Sequence, residues 1–112
     1  MKVLTSSLVK KAWNIVRAFN KEAKLLADKQ NKLRENAKIN RKRYVEGLDG
    51  KDYSIDCYEQ LRMLSNYRKR LFDLAERLSN KIKSITSQPK WECDDGFYFW
   101  LLKQEVKVYV KK

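Results

Sequence analysis

From Thr5 to about Tyr44 the chain contains neither Pro nor Gly, and its small or apolar side chains return at steps of four and three. Ala12, Val16, Phe19, Ala23, Leu26, Gln30, Leu33, Ala37, Asn40 and Tyr44 keep this rhythm without a break. Such spacing puts every position on one stripe of an α-helix, the seam of a heptad repeat. A helix over about residues 5–45 is predicted, roughly 60 Å long at about 1.5 Å per residue. Thr5 or a neighbouring serine can cap it, and Leu4 can pack on Val9 as a staple. Gln30 and Asn40 interrupt the stripe, and each needs a hydrogen-bond partner or water.

Residues 47–55 then break the helix. Gly47 and Gly50 offer positive φ at a helix end, and Asp49 and Asp52 favour turns. Asp56 reads as the next N-cap, with Glu59 three residues on. From Cys57 the same rhythm resumes through Leu61, Leu64, Arg68, Leu71, Ala75, Leu78, Ile82 and Ile85. This second helix, over about residues 56–87, must end before Pro89. Two heptad helices joined by a short loop fold back as an antiparallel pair. A turn centred near Gly50-Lys51 would set Tyr44 against Cys57 and Ala37 against Leu64. Arg68 falls inside the seam, so its charge must snorkel out or meet a polar neighbour.

Near its start the first helix has a wider apolar face, with Leu8, Trp13 and Ile15 flanking the stripe. A third element should cover it, and the second helix ends beside it. The aromatic segment over residues 90–112 is the candidate. Trp91-Glu92-Cys93, Asp94-Asp95-Gly96 and Phe97-Tyr98-Phe99-Trp100 read as a hairpin with an Asp-Gly turn. Glu105 to Val110 alternates as a further strand, with a short third helix through residues 97–105 as the alternative. The fold class read from the pattern is mainly α, in one domain spanning residues 1–112. It comprises a long antiparallel, coiled-coil-like helical hairpin, with a small C-terminal β-hairpin or three-stranded sheet packed on its open end.

Charge alters the picture more than size does. The 112 residues carry 26 Lys and Arg against 14 Asp and Glu, a net charge of +12. Most of the excess lies in the first helix and much of the rest in the second, whereas residues 47–56 are acidic. Arg34, Lys38, Arg41 and Lys42 recur at helical steps with Arg43 beside them. Arg62, Arg68, Lys69 and Arg70 fall at matching levels of the second helix. A stripe of cations with only Glu35 in it departs from the mixed signs of an ordinary solvated coiled-coil face, and it can neutralise a run of phosphates. These nine residues are the candidate contacts for nucleic acid, or for an acidic or nucleoprotein surface.

Catalysis finds little support. The chain has no His, which removes the commonest general base and metal ligand. Three Gly and one Pro are too few for a glycine-lined phosphate loop. Asp95 with Glu105-Val106-Lys107 imitates the acidic-plus-E-x-K pattern of magnesium nucleases of the PD-(D/E)xK type, but with five residues after Lys107 the helices that flank that sheet are not expected. Cys57 and Cys93 lie in no metal-binding spacing and read as reduced structural thiols. No metal, cofactor or catalytic residue is expected. The longest apolar run, Phe97 to Leu102, is too short to span a bilayer, and no signal peptide opens the chain, so a cytoplasmic protein without membrane contact is expected.

The opening Leu8-Val9-Lys10-Lys11-Ala12-Trp13-Asn14-Ile15-Val16-Arg17-Ala18 resembles a "K-K-A-W-x-I-A-R/K" stretch of small accessory proteins of bacteriophages and prophages. The likeness covers about ten residues and carries no residue role. It implies a mobile-element origin, where small basic proteins regulate or block host nucleic-acid machinery. The sequence thus reads as a non-enzymatic basic binding protein that engages nucleic acid or the nucleic-acid site of a nucleoprotein. The alternative is a protein–protein inhibitor or adaptor, directed at a host defence complex in the manner of an anti-CRISPR. A third form is a structural oligomer held through the heptad seams, of which a homodimer is the simplest case.

Overall fold

A computed structural model describes residues 1–104 of the chain. It is mainly α. The element order is β1 (Lys2–Val3), α1 (Ser6–Val45), α2 (Ser54–Thr86), β2 (Glu92–Cys93) and α3 (Asp95–Lys103), and α1 and α2 form an antiparallel helical hairpin. The predicted seam is the buried stripe. Ala12, Val16, Ala23, Gln30 and Ala37 on α1 are buried, as are Cys57, Leu71, Ala75, Leu78, Ile82 and Ile85 on α2. Phe19, Leu26, Leu33 and Asn40 on α1 and Leu61, Leu64 and Arg68 on α2 are half-buried, and Tyr44 departs from the pattern at 43% exposed.

The helix ends follow from local hydrogen bonds. Thr5 Oγ1 accepts from the Leu8 amide at 3.2 Å, which caps α1. At the other end Gly47 takes φ 75°, the Gly47 amide donates to Tyr44 O (3.0 Å) and the Leu48 amide to Arg43 O (2.9 Å). This pair of bonds is a Schellman motif, which needs a left-handed residue where Gly47 stands. The chain therefore bends at Gly47, ahead of the turn expected at Gly50-Lys51. α2 begins at Ser54, earlier than Asp56, because Asp52 supplies the acceptor: its Oδ1 accepts from the Ser54 amide at 3.0 Å.

The earlier bend shifts the register. Asn40 Nδ2 lies 3.7 Å from Cys57 Sγ, so Cys57 meets Asn40 instead of Tyr44. Gln30 reaches both Leu61 and Arg68, and Tyr67 reaches Glu22. Each α1 residue thus faces α2 residues several positions earlier in the chain than the expected turn would give.

The chain forms two compact units, both threaded by α1 and α2. One unit comprises Glu22–Arg70. Its buried residues are small or polar: Ala23, Gln30, Ala37, Asp52, Ser54 and Cys57. The other comprises Met1–Lys21 with the chain from Leu71 onward, and it holds the apolar core. There Leu8, Ala12, Ile15 and Val16 join Ala75, Leu78, Ile82, Ile85, Leu4, Cys93 and Leu101, with Trp13, Phe97 and Tyr98 packed against them. Leu8 to Ala18, the stretch that carries the resemblance, thus contributes Leu8, Ala12, Ile15 and Val16 to this core.

The third element does cover the wide face, but it is a helix where a hairpin was expected. Residues 97–103 belong to α3, and β2 pairs antiparallel with β1, Lys2 opposite Cys93 and Val3 opposite Glu92. Asp94 explains the helix. Its carboxylate accepts from the Phe97 amide at 2.9 Å, so the Asp-Asp-Gly segment caps a helix and no two-residue hairpin turn forms. Capped in this way, the aromatic run places Leu101 inward, fully buried. The strand expected over residues 105–110, with Glu105 and Lys107 of the nuclease-like pattern, lies outside the described residues.

Candidate functional site

The unit Glu22–Arg70 carries the nine candidate cations, and the structure sorts them into three groups. Two of the densest cluster are already paired with acids of the connecting loop. Arg41 Nη1 donates to Asp52 Oδ2, whose side chain is only 6% exposed. Arg43 grips Asp49 with two bonds, Nε to Oδ2 at 3.1 Å and Nη2 to Oδ1 at 3.2 Å. Lys42 stands 4.0 Å from Glu46, one turn on. The Ser54 hydroxyl also donates to Asp52 Oδ1, and the Ser54 bonds with the Arg41 bond hold the Asp52 carboxyl below its usual range. This corner fastens the loop to both helices, so the loop's acidity is spent on α1.

Arg68 forms the second group by itself. Its Nη1 donates to Gln30 Oε1, and Gln30, 2% exposed, donates from Nε2 to Leu61 O at 3.3 Å. Gln30 and Arg68, which interrupt the two seams, therefore bond to one another across the hairpin through Arg68 Nη1, while Arg68 Nε is buried without a hydrogen-bond partner among the described residues, and Arg68 serves the interior of the hairpin.

Arg34, Lys38, Arg62, Lys69 and Arg70 are the third group. All are exposed, and none enters an ion pair among the described residues. Arg34 Nη1 donates to Asn31 Oδ1 at 3.0 Å, a neutral bond that leaves its charge uncompensated. The Tyr67 hydroxyl bonds to Glu22 at 3.2 Å and marks one flank of the helix pair. At about 100° per residue, Arg34 and Lys38 stand roughly 120° and 160° round α1 from Glu22. By the same count Arg62 and Lys69 stand roughly 140° and 160° round α2 from Tyr67. These four cations belong to the flank away from Glu22 and Tyr67. Arg70, one residue on from Lys69, turns back toward the Tyr67 side.

Beside Arg62 lie Ile55, Tyr58 and Glu59, lining a shallow hollow, with Ile55 56% and Tyr58 55% exposed. An exposed ring next to a cation is the combination that stacks bases in single-stranded nucleic acids. Seam spacing does not single Tyr58 out; its signal is a large ring three residues after Ile55 and four before Arg62, off the seam.

Cys57 and Cys93 are free thiols and buried, and burial raises the Cys93 pKa. No cluster of His, Cys, Asp and Glu suited to a metal occurs among the described residues. No described helix is long and apolar enough to cross a membrane. No protein family, curated protein or solved structure matches this chain.

Proposed function

We propose that this is a non-enzymatic binding protein that takes hold of nucleic-acid phosphates through the flank of its hairpin bearing Arg34, Lys38, Arg62 and Lys69. One observation carries the reading. Among the described residues these cations have no carboxylate partners, while Arg41, Lys42 and Arg43 have theirs. Lone cations at helical spacing release counterions when they meet a polyphosphate, and an exposed Tyr58 adds a ring for an unstacked base. Fluorescence anisotropy with a labelled oligonucleotide tests it. Replacing Arg34, Lys38, Arg62 and Lys69 by Gln should abolish most of the binding, whereas Lys42→Gln with Arg43→Gln should change it little. Equal loss from the two sets would defeat the assignment.

A second reading, a protein-directed inhibitor or adaptor of the kind phage accessory proteins provide, is favoured by a different observation. In the unit built from the chain termini, Phe19, Leu74, Phe97 and Trp100 line an apolar groove that opens to solvent.

A further inference from the structure

That groove measures about 240 Å³. Phe19 of α1, Leu74 and Leu78 of α2, and Phe97 and Trp100 of α3 make its walls, and Arg77 and Lys81 complete the lining without any carboxylate. Leu74 is 41% and Trp100 39% exposed, far more than the buried core residues. Arg77 and Lys81 are one helical turn apart on α2. Lys81 is held by Asp94 at 3.0 Å and lies 4.9 Å above the Phe97 ring, whereas Arg77 enters no ion pair among the described residues.

We infer that the groove is a docking site for an acidic, amphipathic segment of a partner protein. One apolar side chain of the segment enters between Leu74 and Trp100, and a carboxylate beside it meets Arg77. The inference rests on the protein-partner reading and is independent of the phosphate contacts in Glu22–Arg70. Charge complementarity selects the occupant, because an apolar hollow with a cationic rim rewards a side chain that is greasy at its tip and negative at its flank. A second copy of this chain would bring its own charge of +12 against that rim. A stacked nucleobase would need an open ring face, and Phe97 has Trp100 stacked against it at 5.9 Å and Lys81 over it. A bilayer is broad and flat, whereas this surface is concave and receives a single side chain.

The test is binding of a dye-labelled peptide built only of Leu and Glu, with Leu along one helical face, to the full chain. Saturable binding is expected, with none for the matching Leu and Lys peptide. Arg77→Glu should weaken it by about tenfold, and so should Trp100→Lys. Trp100→Lys is the sharper variant: it adds positive charge, so attraction by charge alone would tighten binding where loss of the groove weakens it. Both positions are exposed, and retained helical circular dichroism shows that each variant folds. Arg34→Gln with Lys38→Gln should leave peptide affinity unchanged. The proposal is overturned if the folded variants bind like the parent, or if the peptide fails to bind. It is equally overturned if what these variants lose is binding of oligothymidine, attachment to phosphatidylserine vesicles, or self-association in sedimentation equilibrium.

Discussion

Gln30 and Arg68 illustrate how a residue that spoils a pattern can serve it. Each interrupts an apolar seam, and each demands a polar partner; in the folded hairpin they find one another and the Leu61 carbonyl. Sequence spacing indicates the demand and leaves the partner open, because it depends on register. Gln30→Leu would remove an acceptor from a half-buried guanidinium and should cost about 1–3 kcal/mol in chemical denaturation. Adding Arg68→Leu should recover most of that loss, since an apolar pair of similar volume replaces the polar one. Asp52 is the other residue on which local order depends. Its carboxyl titrates below the ordinary Asp value of 3.8, chiefly through the Ser54 hydroxyl and also through Arg41, and Asp94 is likewise lowered, first by the Phe97 amide and then by Lys81. Groups with depressed native pKa values stabilise the fold fully above the unfolded value and lose that contribution as pH falls through the native one. Melting temperature should therefore drop on acidification below about pH 4, and Asp52→Asn with Asp94→Asn should flatten that drop.

At the scale of elements, both long helices and their buried stripes were legible, because a heptad rhythm over many turns has one physical reading. Register was not. The seam repeats every seven residues, so sliding one helix by a repeat returns seam positions to seam positions. Only the turn breaks that degeneracy, and Gly47 and Gly50 were both eligible for it. The structure uses Gly47, whose left-handed φ closes the Schellman motif, and Gly47→Ala should destabilise the hairpin by about 1–2 kcal/mol. The aromatic run misled for another reason. Its residues favour strands by propensity, but propensity is weak beside a capped first turn and a buried anchor. Leu101→Ala should show this by thermal melting, losing about 2–5 kcal/mol from the terminal unit. Of the site, the cation stripe was legible but its division was not. Asp49 and Asp52 are near enough in sequence to reach α1, yet which arginines they claim depends on how the loop returns.

For the whole molecule, the sequence-wide excess of +12 overstates what any one surface offers. The Glu22–Arg70 unit holds the candidate contacts and also the acids that cancel Arg41, Lys42 and Arg43. The field that a nucleic acid would meet there comes from cations that the fold leaves unpaired. Disrupting the pairs has the opposite effect from disrupting the flank. Asp49→Asn frees Arg43, and oligonucleotide affinity in an anisotropy titration should rise or hold while melting temperature falls. The most direct measurement is the slope of log binding constant against log salt concentration for a single-stranded oligonucleotide. Four phosphate contacts give a slope of about −3, and each contact removed makes it shallower by about 0.7. With Arg34, Lys38, Arg62 and Lys69 replaced by Gln, the slope should fall close to zero while the helical signal is retained. A slope that stays near that of the parent would place the phosphate contacts elsewhere and contradict the assignment of this flank.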